Sequence, residues 1–208
     1  MRSDVAPTRE NYLEIQDRLE RVRRGEELLE RKRQILITEL MSKVEAAKRI
    51  KDEINETMAA AFEAVRRAAI LSGVTGLARQ ASGIEMEHSL SVTTRSVMGV
   101  PVPEIDCKAA DFGLYFGVTE GRSSTDEVMR RFLEAVELVA ELAEVENTVF
   151  RLAREIRRTQ RRVNALDKMF IPRLEDNLDR IEGVLEERAQ EEFVLLREVK
   201  RKRREKRR

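Results

Sequence analysis

The sequence predicts a mainly α chain: a long antiparallel two-helix coiled coil, built from the N- and C-terminal segments, with a small β-hairpin-containing module between them. Three observations carry that prediction. Ala, Leu, Glu, Lys and Arg supply 109 of the 208 residues, a composition typical of long helices. Apolar residues recur in heptads through both ends of the chain. Seven of the nine glycines and two of the four prolines fall within residues 73–122, which divides the chain into an N-terminal helix (1–72), a middle module (73–122) and a C-terminal helix with a basic tail (123–208).

Thr8 is placed to cap the first helix, and Ser72-Gly73 supplies a stop. About 65 residues at 1.5 Å each make a helix of roughly 95 Å. Its a and d positions are apolar at 12 of 16 sites. The seam they draw runs through Tyr12, Ile15, Leu19, Val22, Leu29, Leu36, Leu40, Ile50 and Ile54.

The middle module shows alternation at Leu90-Ser91-Val92-Thr93 and a short apolar run from Phe112 to Val118. Between them lies GVPVPEID, whose strand-forming residues are interrupted by Pro101 and Pro103. That pattern suits only an edge strand or a turn. The reading is a small hairpin at the far end of the helix pair.

The second helix opens on Ser124-Thr125-Asp126-Glu127, a capping-box pattern, and runs to about Arg204, near 120 Å. Leu142, Val145, Val149, Leu152, Ile156, Val163, Leu166 and Phe170 form its seam, interrupted at Thr159. After Pro172 the seam resumes one residue late, at Leu174, Leu178, Ile181, Leu185, Leu195 and Val199. A kink or a local change of supercoil belongs there. The two helices are expected to pair with each other, because an unpartnered stripe leaves Leu and Ile side chains wet at about 1.5–3 kcal/mol each.

Little in the chain suits catalysis. One Cys and one His exclude a disulfide and a His/Cys zinc site, so no metal or cofactor is expected. His88 and Cys107 match no nucleophile signature. Gly117 to Ser123 resembles a phosphate loop but is one residue short and has Arg122 in place of Lys. Acid pairs such as Glu26-Glu27 and Glu186-Glu187 read as solvated faces. No apolar run approaches the ~20 residues of a membrane span, and the N-terminus lacks a signal-peptide pattern; the chain is expected to be soluble and intracellular.

Charge is abundant and balanced, 40 Lys+Arg against 39 Asp+Glu, but unevenly placed. The terminal stretch Arg197–Arg208 holds nine bases and two acids, which invites nucleic acid; no aromatic residues interleave it to stack on bases. A second cluster, Arg151, Arg154, Arg157, Arg158, Arg161 and Arg162, lies off the seam of the second helix, facing solvent or a partner.

Within that cluster begins Arg161-Arg162-Val163-Asn164-Ala165-Leu166-Asp167, followed by Ile171-Pro172-Arg173-Leu174. These segments resemble the signature of the D subunit family of A-type and V-type rotary ATPases, usually met as RRVNALE and IPR. Pro7-Thr8-Arg9, Gly25 with Leu28 to Arg33, Glu187-Arg188 and Glu191-Glu192-Phe193 agree with it. Asp167 in place of Glu, and LLERKRQ where the family shows LLKxKRD, are departures that keep the seam.

The resemblance implies a non-catalytic central rotor shaft on the cytoplasmic side, peripheral to the membrane. Its two termini would enter a ring of catalytic A and B subunits, and its middle module would meet the small F subunit and the subunit capping the membrane rotor. Arg157, Arg158, Arg161, Arg162, Asn164 and Arg173 would face the ring. No nucleic acid is expected on this reading; the alternative is a coiled-coil protein that binds nucleic acid or the ribosome through its basic tail.

Overall fold

The computed structural model describes residues 5–82, 84, 86–110 and 122–205. In chain order they form helix α1 (Arg9–Ser72), a short helix α2 (Val74–Ala81), strands β1 (Ser89–Val97) and β2 (Val100–Lys108), helix α3 (Arg122–Ala165), one π-helical turn (Leu166–Phe170) and helix α4 (Ile171–Glu205). Long N- and C-terminal helical segments flank one antiparallel hairpin, the predicted fold class. The apolar run 112–118 and all but the end of the phosphate-loop-like stretch lie outside the described residues.

α1 starts where its cap places it, for the Thr8 hydroxyl accepts the Asn11 backbone N–H at 3.2 Å. It ends at Gly73, whose φ of 72° lies in the left-handed region open to glycine. Two expectations need correction. The middle module is not only strands and loops, because Val74, Leu77, Ala78 and Ala81 recur at helical spacing and fold as α2. α3 begins at Arg122, so Ser124 sits inside the helix and does not precede it.

The chain divides into two compact units, residues 1–34 with 157–208 and residues 35–156. In the first, α1 and α4 run antiparallel: Arg23 pairs with Glu175, and Arg180 and Arg188 donate to the carbonyls of Val5 (3.1 Å) and Pro7 (3.0 Å). Ile15, Leu19, Leu178 and Ile181 form its core, with Val5, Tyr12, Ile171, Leu174 and Leu185 packed around them. Val163 is buried, and Val22, Leu29 and Leu166 are half-buried. The seam stops there. Leu195 and Val199, expected to continue it, are exposed together with Phe193, Val194 and Leu196, because α1 begins at Arg9 and its lead-in is already opposite Arg188.

In the second unit, Leu36 and Leu152 are fully buried against Val100 and Val102 of the hairpin, with Leu40, Val97 and Ile156 beside them. Farther along, the rings of Phe62 and Phe132 meet edge to face, centroids 6.1 Å apart. The hairpin is therefore not at the far end of the helix pair. It lies lengthwise beside α3, its turn reaching back to Leu36 and Leu152, because Arg151 donates to the Pro101 carbonyl (2.9 Å) and Glu144 accepts the Ile105 N–H (2.8 Å).

One buried group is ill matched to this core. Thr148 is 1% exposed, and its hydroxyl has no hydrogen-bond partner among the described residues. An unsatisfied buried hydroxyl costs about 1–3 kcal/mol, so the near-isosteric Thr148→Val should raise stability by roughly 1 kcal/mol. Leu36→Ala should lower it by about 2–5 kcal/mol. Denaturant unfolding of the two variants checks both signs.

Candidate partner interface

The basic cluster takes its geometry from helical spacing. Arg157 with Arg161, and Arg158 with Arg162, are four apart and so stack in two rows on one side of the helix, while Thr159 and Val163 on the other side are buried. All four arginines are exposed, as are Asn164 and Arg173. Among the described residues none of these five guanidinium groups has an ion-pair partner, in contrast to Arg21, Arg24, Arg31 and Arg131, each paired with an acid on its own helix. The result is a row of uncompensated positive charge, unusual in a chain whose charges balance.

Asn164 has a second attachment. Its Oδ1 accepts Gln160 Nε2 at 2.8 Å. Gln160 Oε1 in turn accepts Arg33, which also donates to Glu30. A polar chain thus crosses from α3 to α1, fixing the side chains behind the arginine rows. Arg151, grouped with the others by sequence, is corrected: it is spent on the hairpin carbonyl of Pro101.

The phase slip near Pro172 has a definite structural form. Pro172 has no N–H to give the carbonyl four residues back. The backbone widens just ahead of it, and the Ile171 N–H reaches the Leu166 carbonyl, a spacing of five. One extra residue enters the turn, which is why the seam resumes one residue late. The same widening turns Met169 and Phe170 outward, both about half exposed, so Phe170 is not a seam residue. Asn164 and Arg173 stand on either side of this turn.

The remaining candidates are structural. His88 Nδ1 accepts the Ala110 N–H at 3.1 Å, and Cys107 is half-buried opposite Leu90. Among the described residues no group of three His, Cys, Asp or Glu could hold a metal, and no helix is long and apolar enough to cross a membrane. A groove of about 570 Å³ in the second unit is lined by Val65, Leu77, Met129, Phe132 and Leu133, with His88 its sole titratable group among the described residues.

Comparison with known proteins identifies the context. A family model for the D subunit of ATP synthase matches residues 11–201. The D subunit of the A-type ATP synthase of Methanopyrus kandleri is 40% identical over 199 residues, covering 95% of this chain and 86% of its own. The D subunit of the V-type ATP synthase of Thermotoga neapolitana is 35% identical over 198 residues, covering 95% and 98%. The A-type counterpart from Thermococcus kodakarensis is 37% identical over 202 residues, covering 95% and 94%.

The wide turn makes a measurable claim on the first unit. Deleting the exposed Lys168 should remove the extra residue together with the widening and leave Leu174, Leu178 and Ile181 facing Ile15 and Leu19, whereas inserting one alanine after Arg173, where nothing absorbs it, should rotate them by about 100°, away from Ile15 and Leu19. At about 1.5–3 kcal/mol per buried side chain, thermal unfolding of the insertion variant should show that unit lost at much lower temperature, while circular dichroism retains most of the helix.

Proposed function

The chain belongs to the family of the ATP synthase D subunit, and from that membership we propose that it is the central rotor shaft of an A-type or V-type ATP synthase. It would couple ATP synthesis or hydrolysis in a ring of A and B subunits to ion transport through the membrane rotor. The observation that carries this reading is the family match over residues 11–201, which takes in both helical segments and the hairpin. The shaft is a mechanical subunit, with catalysis in its partners. It works on the cytoplasmic side, peripheral to the membrane and joined to it only through the complex.

Two surfaces suit the role. The rows of Arg157, Arg158, Arg161 and Arg162, with Arg173, offer charge that has no ion-pair partner among the described residues, and the exposed Asn164 stands beside them. Exposed ion pairs are worth only ~0.2–1 kcal/mol each, so a rotor contacting successive ring subunits through them meets no single deep trap. Beyond Arg188, α4 exposes Phe193, Val194, Leu195, Leu196 and Val199, apolar surface that an encircling ring would cover. The module within 73–122 is assigned to the small F subunit and to the subunit capping the membrane rotor. The nucleic-acid alternative finds no support among the named relatives.

The reading is tested by co-purification: the chain should elute with a ring of A and B subunits and with F, and failure to join the ring at any ionic strength would refute it. Reversing charge with Arg161→Glu and Arg162→Glu should leave the isolated chain as helical as before. In the assembled enzyme it should weaken the hold of shaft on ring roughly two- to thirtyfold and lower ion pumping per ATP hydrolysed. Unchanged coupling would remove these residues from the interface.

A further inference from the structure

The hairpin's two edges are finished differently. Met98 and Gly99 both have positive φ (51° and 80°), the mark of a two-residue type I′ turn, which makes the flanking Val97 and Val100 a hydrogen-bonded pair. From that pair the ladder alternates. Its hydrogen bonds run between odd-numbered residues of β1 and even-numbered residues of β2, and the N–H and C=O groups of the intervening residues point outward.

On β2 three of the four outward positions are guarded. Pro101 and Pro103 have no N–H to leave unpaired, the Pro101 carbonyl accepts Arg151, and the Ile105 N–H goes to Glu144. On β1 the outward residues are Leu90, Val92, Thr94 and Ser96. They are exposed, Leu90 and Val92 at 61% and 60%, and among the described residues their outward backbone groups meet no partner. β1 also lacks proline, glycine, lysine and any bulge, the usual protections of an open edge.

We propose that this edge pairs with the same edge of a second copy of the chain, giving a closed two-fold dimer with strand order β2-β1-β1-β2. The occupant is argued from self-complementarity in one antiparallel register, centred on Ser91 facing Ser91. There Leu90 stands opposite the partner's Val92 and Val92 opposite the partner's Leu90, on one face. On the other face Arg95 stands opposite the partner's Glu87, which is exposed and has no side-chain bond among the described residues. Each match occurs twice. A shift of two residues toward the turn sets Leu90 against Thr94 and Arg95 against Ser89, losing both; the opposite shift sets Val92 against His88. Directly opposed apolar and opposite-charge pairs are the stabilising units of a sheet. Because the contact is isologous, it closes at two copies and consumes the edge that would otherwise grow an open aggregate. On the shaft reading, a ring axis accommodates no second copy alongside, so the dimer is the state of the unassembled chain.

Sedimentation of the full-length chain over a dilution series, with no other subunit present, tests this. A monomer–dimer equilibrium is expected, with slowed amide exchange at Leu90, Val92 and Thr94 in the dimer. Arg95→Glu should weaken it about tenfold or more, and the swap Glu87→Arg with Arg95→Glu should restore it. Thr94→Pro removes one outward N–H while sparing the ladder, as Pro103 opposite it already does, and should leave monomer. A chain monomeric up to its solubility limit, higher oligomers without a stop at two, or a dimer indifferent to Arg95→Glu and Thr94→Pro would each overturn the proposal. Assembly with ring subunits is scored separately and bears only on the shaft reading.

Discussion

An apolar stripe on a long helix has to be covered along its length, and here the covering stripe comes from the other end of the same chain. The heptad pattern makes each stripe narrow, so any change of phase on one helix must be absorbed on the spot or the side chains beyond it turn to solvent. The turn at Leu166–Phe170 absorbs it. It lets one polypeptide keep Leu152 and Val163 buried before Pro172 and Leu178 and Ile181 buried after it, although their spacing is incompatible with uninterrupted α-helix.

The helices were legible because their signals are local and repeated. The Thr8 cap, the Gly73 stop and the phase slip at Pro172 each depend on a few neighbouring residues. The form of the slip was not legible, since a kink and a widened turn satisfy the same pattern and only the Ile171 to Leu166 hydrogen bond distinguishes them. The hairpin was half legible. Two prolines declared β2 an edge, but its place beside α3 depends on Glu144 and Arg151, about 40 and 50 residues away in sequence, and nothing local marks either as an anchor. α2 was missed because its apolar spacing is short and sits among glycines.

The candidate interface divides the same way. Rows of arginine four apart could be read from sequence as a face, and their off-seam position followed from the heptads. What could not be read was which bases the fold would use internally. Arg33 and Arg151 are consumed by Gln160 with Glu30 and by Pro101, whereas Arg157, Arg158, Arg161 and Arg162 meet no acid among the described residues. That difference, invisible in a composition with nearly equal numbers of acids and bases, is why we propose the rows as a surface for another protein.

The clamp of Arg180 and Arg188 on the carbonyls of Val5 and Pro7 ties together pairs of residues 175 and 181 positions apart in the chain. During translation the opening stripe, Tyr12 to Leu19, is out of the exit tunnel long before Leu178 and Ile181 exist to cover it. At about 5–20 residues per second the wait is roughly 10–30 s. A nascent chain of this design therefore depends on whatever shields exposed amphipathic helix in the cell, and its maturation is timed by elongation through the codons for Leu178 and Ile181 more than by the speed of zipping.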